Sequence, residues 1–80
     1  MYADKLTKII TEVCPSTVKY RGSHYVSDGI LESIEIMEIV AEIEDVFDIV
    51  IAPQYIVPEY FESIETLEKM IQDVKKATKG

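Results

Sequence analysis

The apolar positions of this chain recur at intervals of three and four along most of its length. Between Tyr2 and Val13 they fall at Tyr2, Leu6, Ile9, Ile10 and Val13, the spacing of one face of an α-helix. Pro15 ends that helix, because proline has no amide hydrogen and its ring clashes with the preceding turn. From Ser16 to Glu32 the chain is polar and carries Gly22 and Gly29. That stretch reads as one long loop, and loops longer than roughly 12–15 residues are usually functional or mobile. From Ser33 to Phe47 isoleucine and valine are dense, and Ile34-Glu35-Ile36 alone suits a strand, but the alternation ends at Met37. At about 100° per residue, Ile36, Ile39, Val40, Ile43, Val46 and Phe47 share one broad apolar face, with Glu35, Glu38, Glu42 and Asp45 on an acidic stripe away from it. This predicts a second helix that buries the first group, with Ser33 as its N-cap.

A hydrophobic turn from Ile49 to Ala52 follows, closed by Pro53. Pro58-Glu59-Tyr60-Phe61 reads as one short helical turn with proline at its start. Ser63 is a further N-cap, and Ile64, Leu67, Ile71 and Val74 carry helical spacing into a last helix. Lys75, Lys76 and Lys79 stand at its C-terminal end, where cations favour the helix dipole. There is no internal repeat or low-complexity segment. The expected fold is all-α: one domain over residues 1–80, a small antiparallel bundle of three main helices plus one short helix, with a long first loop.

The second helix has another feature. Ile34, Met37 and Ala41 form a narrower apolar strip roughly opposite the core face. A small bundle has one core, so this strip either packs under the long loop or is a docking surface, with apolar anchors in the middle and charges at the rim.

Charge favours some partners over others. Eight basic residues against 15 acidic ones give a net charge of −7. A field of that sign repels nucleic acid and anionic membranes and attracts basic protein surfaces. No apolar run approaches the roughly 20 residues of a membrane span, and Met1 to Lys8 lacks the apolar stretch of a secretory signal. The expectation is a cytoplasmic monomer without membrane insertion. Cys14 is the only cysteine, so no internal disulfide or multi-thiolate zinc site can form. It reads as a small buried hydrophobe near the end of the first helix.

Catalytic chemistry finds little to work with. A serine nucleophile needs a base and an orienting group. His24 is the only histidine, it lies in the glycine-bearing loop, and there is no Gly-x-Ser-x-Gly elbow. Asp28-Gly29-Ile30-Leu31-Glu32 lacks the alternating oxygen ligands of a calcium loop, and no metal site is expected. Paired carboxylates need a cleft to separate their pKa values, which a domain of this size rarely makes. The expectation is a protein that is not an enzyme. Ser33 nonetheless stands where a loop, an acidic helix and an apolar strip meet, at a helix start whose free amides tolerate an added anion.

Asp28-Gly29-Ile30-Leu31-Glu32-Ser33-Ile34-Glu35-Ile36-Met37-Glu38-Ile39-Val40, continued by Glu42 to Ile51, resembles an acyl carrier protein, a family pattern shared with peptidyl carrier domains. The likeness covers nearly the whole chain and is strongest from Asp28 to Ile51. Glu32 stands for the family's usual Asp and Ile34 for its usual Leu. The resemblance implies that Ser33 carries 4′-phosphopantetheine, transferred from coenzyme A by a separate magnesium-dependent phosphopantetheinyl transferase. It implies a stand-alone carrier that holds an acyl or aminoacyl group as a thioester and presents it to a loading enzyme and a downstream synthase or transferase. Such a carrier would serve a fatty-acid-like, polyketide, nonribosomal or aminoacyl pathway. Glu35, Glu38, Glu44 and Asp45 resemble the family's partner-recognition acids. Ile34, Met37 and Ala41 resemble its exposed apolar contacts. Ile51 resembles a residue lining the arm and acyl cavity. Phe61 is grouped with it as a cargo contact, and with Ile64 and Leu67 in the packing between the family's last two helices. The competing expectation is an acidic helical interaction module that is never modified.

Overall fold

The computed structural model describes residues 2–20, 22 and 24–79, with residues 78 and 79 described in backbone only. Three α-helices make up the frame: α1 (Tyr2–Val13), α2 (Ser33–Phe47) and α3 (Ile64–Lys79), with no strand among the described residues. The chain is thus a small all-helical bundle, with each α-helix where apolar periodicity placed it. The Lys79 side chain expected at the end of α3 lies outside the described residues. Three short 3-10 turns, rather than one short helix, join the frame: Pro15–Val18, Pro53–Tyr55 and Pro58–Phe61. Each begins on a proline, whose fixed φ suits a first helical position where no amide hydrogen is needed.

Helix α1 is packed against both α2 and α3. It contributes Leu6, Ile9 and Ile10 to the core, α2 contributes Ile39, Val40 and Ile43, and α3 contributes Leu67, Met70, Ile71 and Val74. Phe61 from the last short turn is fully buried among them, and Cys14 is buried as expected. Burial pushes the Cys14 thiol pKa up, with the nearby Glu35 carboxylate adding to the effect.

The predicted core face of α2 needs trimming. Ile36 and Phe47 are only half-buried against the core, and Val46 is 42% exposed. Ile36 stands in the first turn of α2, beside Val26 and Pro58, and the core tapers at the C-terminal end of the helix, where Val46 and Phe47 stand. There Phe47 leans on the Tyr2 ring edge-on, with centroids 5.3 Å apart, and the Lys5 ammonium lies 5.7 Å above its ring. Val46 lies beside this pair, with Lys5 and Lys75, and is only partly covered. Lys75 closes the same end by donating to the Tyr2 hydroxyl at 2.7 Å.

Helix starts and stops follow local chemistry. The Ser63 hydroxyl accepts the Thr66 amide at 3.2 Å, and the Thr66 hydroxyl accepts the Ser63 amide at 3.0 Å, so Ser63 caps α3 as expected. Ser33 does not cap α2. Its backbone is already helical, and the N-cap is Glu32, extended at φ −108°, whose carbonyl accepts the Ile36 amide at 2.9 Å. The Glu35 carboxylate reaches back to the Glu32 amide at 2.8 Å. Helix α2 ends on Asp48 in the left-handed region, φ 54°, with its amide donating to the Glu44 carbonyl.

The long connection between α1 and α2 is more ordered than its polarity suggests. Leu31 inserts into the core, and the Thr17 hydroxyl, also buried, donates to the Cys14 carbonyl at 2.8 Å. The Tyr25 carbonyl accepts the amides of Ile30 and Leu31 at 2.8 and 3.0 Å. That closes a turn through Gly29, whose φ of +76° only glycine adopts without strain.

Candidate functional site

The first turn of α2 brings together Ser33, Ile34 and Glu35 of the residues expected at the site, and Met37, Glu38, Ala41, Glu44 and Asp45 follow along the same helix. Because Glu32 and Glu35 supply the cap, the Ser33 hydroxyl has no hydrogen-bond partner among the described residues, and the residue is exposed. The first amides of any α-helix have no intrahelical partner, so donors and a positive dipole end face whatever is attached at this serine.

Ser33 lines a groove of about 560 Å³ with Val26, Gly29, Leu31, Glu32, Ile34, Ile36 and Pro58. One wall is the loop from Val26 to Leu31, and Pro58 of the last short turn also lines it. The surface is apolar apart from Glu32 and Ser33. That chemistry fits a phosphodiester on Ser33 followed by a chain of methylenes and amides. The phosphate would meet the open amides, and the chain would have an apolar wall to lie along.

Below Ser33 the second strip is open to solvent. Ile34 is 77% exposed and Met37 55%, and Ala41 is exposed as well, so the strip does not pack under the loop. Glu38, Glu42 and Asp45 are exposed beside it. A second groove of about 460 Å³ runs between Glu12 and Val13 of α1 and Glu38, Ala41 and Glu42 of α2.

The four acids expected to take part in partner recognition divide into two kinds. Glu38 and Asp45 are exposed, and their side chains make no hydrogen bond among the described residues. Glu35 and Glu44 are half-buried and bound to backbone. Glu35 takes the Glu32 amide, and Glu44 takes the Ile51 amide at 2.9 Å. Glu44 thereby ties the segment after α2 back onto its last turns. Ile51 and Phe61 lie in the core, 5% and 0% exposed, so any cargo that meets them must enter the bundle. They are not part of the groove at Ser33.

Residues absent from the sequence reading also shape the site. The Glu62 carboxylate accepts the amides of Val26 and Ser27 at 2.9 and 3.0 Å and the Ser27 hydroxyl. Its main-chain carbonyl accepts the Tyr25 amide at 2.8 Å. The Ser27 hydroxyl, then its amide, hold the Glu62 carboxyl below its ordinary pKa. Nearby, the Tyr20 hydroxyl donates to Asp28, which pushes the Tyr20 pKa up, and accepts the His24 amide at 3.0 Å. The apolar pairs Tyr25-Val26 and Ile30-Leu31 inside a polar stretch are the signal of this ordered loop in the sequence. Glu62 lies too far along the chain to be linked to it by spacing.

Among the described residues no group of three or more His, Cys, Asp or Glu side chains is placed to hold a metal ion. No helix there is long and apolar enough to cross a membrane. Comparison with known protein families, curated proteins and solved structures gives no match to this chain.

Proposed function

We propose that this chain is a discrete acyl carrier protein, modified on Ser33 with 4′-phosphopantetheine. The observation that carries the reading is the freedom of the Ser33 hydroxyl, exposed at the first helical position of α2 and relieved of capping by Glu32 and Glu35. The resemblance from Asp28 to Ile51 points to the same serine. When attached, the arm supplies a terminal thiol that holds an acyl or aminoacyl group as a thioester. The chain's own residues supply the rest. The α2 amides face the phosphate, and Val26, Ile34, Ile36 and Pro58 offer the arm an apolar wall. Ile34 and Met37 anchor a partner enzyme, and Glu38 and Asp45 steer its basic surface into place. A flexible arm raises the effective concentration of its cargo at the partner's active site. Repeated exchange between partners calls for a small contact area.

The test is intact mass after incubation with coenzyme A, magnesium and a broad-specificity phosphopantetheinyl transferase. The expected result is a gain of one phosphopantetheine that disappears in Ser33→Ala. No gain with several active transferases refutes the carrier and leaves an unmodified interaction module as the reading.

A further inference from the structure

The loop that walls the Ser33 groove is anchored at three points: Leu31 in the core, the Ile30 carbonyl on the Cys14 thiol at 3.4 Å, and Tyr25, Val26 and Ser27 on Glu62. Glu62 lies between the Pro58–Phe61 turn and the Ser63 cap of α3. Buried Phe61 on one side and the Ser63–Thr66 cap on the other fix its backbone. From there it takes donors from three successive loop residues. Its carbonyl takes the Tyr25 amide, and its carboxylate takes the Val26 amide, the Ser27 amide and the Ser27 hydroxyl. The Tyr25 carbonyl then closes the turn onto Ile30 and Leu31, and Leu31 is followed directly by the Glu32 cap and Ser33. On the groove wall Val26 is thus held directly by Glu62, Gly29 is tied to it through the Val26 carbonyl at 3.1 Å, and Leu31 is fixed as well by its burial in the core. Pro58, which also lines it, belongs to the turn that precedes Glu62.

We infer that Glu62 is a positioning residue for the modification of Ser33: it fixes the loop wall against which the transferase and the incoming arm are fitted. The inference rests on the carrier reading. Glu62 touches neither Ser33 nor the groove, so it acts only through the loop. Its loss raises the transferase KM for this protein and leaves kcat nearly unchanged, because the serine and its helix are intact.

The experiment uses the full chain in its unmodified form. Glu62→Gln keeps the size of the side chain and one oxygen for the Val26 and Ser27 amides, but removes the charge and the oxygen that accepts the Ser27 hydroxyl. Amide hydrogen exchange is expected to quicken roughly ten-fold at Val26 and Ser27, because a neutral oxygen holds the two amides less tightly than a carboxylate and the Ser27 hydroxyl bond is lost. Exchange at Tyr25, bonded to the Glu62 main chain, is expected to change less. With coenzyme A and the transferase, KM is expected to rise several-fold and kcat to stay within about two-fold. Unchanged exchange at Val26 and Ser27 refutes the latch. Faster exchange with an unchanged KM shows a latch without a positioning role and overturns the inference. If Glu62→Gln loses its helical circular dichroism, Ser27→Ala, which removes only the hydroxyl donor, carries the same readouts with smaller shifts. If the wild-type chain gains no mass, the carrier reading fails and takes this inference with it; if only the variant kinetics stay flat, the carrier reading stands.

Discussion

Glu35, Glu38, Glu44 and Asp45 of α2, the acids proposed to meet partners, should separate cleanly under mutation, because the structure gives them different surroundings. Glu44→Ala removes the acceptor of the Ile51 amide, a 2.9 Å bond, and Ile51 is only 5% exposed, so water is a poor replacement. An orphaned donor of this kind costs about 1–3 kcal/mol. Glu35→Ala frees the Glu32 amide, but at an exposed helix start where water can reach it. Loss of that half of the cap costs about 0.5–1 kcal/mol. Glu38→Lys and Asp45→Lys remove no hydrogen bond of the fold, and exposed substitutions of that kind stay within about 0.5 kcal/mol of neutral. For a domain of this size, with a total stability of about 4–12 kcal/mol, urea unfolding resolves the first group from the second. The transferase assay is expected to give the opposite ranking. The reversals at Glu38 and Asp45 slow association at low ionic strength and the defect shrinks with added salt. Glu44→Ala stays close to wild type while folded. Reversals at Glu38 and Asp45 that unfold the protein, or a Glu44→Ala variant as stable as wild type, refute the division.

Two further outcomes follow from the core and from the Glu62 latch. Phe61→Ala, at a site with no exposure, is expected to lose about 3–5 kcal/mol, whereas half-buried Phe47→Ala loses roughly half as much; chemical denaturation giving equal losses would mean that the taper of α2 is misread. The Glu62 carboxyl is held below its ordinary value of 4.5 by Ser27, so its contribution to stability is full above that value and is lost as pH falls through its lower folded value. A pH series of urea midpoints should therefore show a smaller acid loss in Glu62→Gln than in wild type, and identical acid limbs would contradict the latch.

Periodicity made the frame legible because each α-helix of this chain is amphipathic, and the three-and-four spacing of Leu6, Ile9 and Ile10 or of Leu67, Ile71 and Val74 survives any detail of packing. The wheel could not show that α2 outruns the core at Val46, because cover at that end depends on where Tyr2 and Phe47 meet. It did place Ile34, Met37 and Ala41 outside the core, since angle alone decides which side of a helix they occupy. The cap of α2 was misassigned to Ser33 by residue preference: serine is a common cap, and only the backbone of Glu32 with the reach of Glu35 shows that the helix starts one residue earlier. The ordering of the loop was hidden for a different reason. Its hydrogen bonds join Tyr25, Val26 and Ser27 to Glu62 across the whole of α2, and such long-range pairs leave no local pattern.

The cap at Glu32 has a thermodynamic consequence. A serine that capped α2 through its oxygen would lose much of that acceptor on becoming an ester, and every loading event would then draw on the folding free energy. Here the capping contact belongs to Glu32 and Glu35, and Ser33 gives the helix only its backbone. Attachment of a group at Ser33 and folding would therefore be nearly independent equilibria, since such attachment would break no hydrogen bond of the fold.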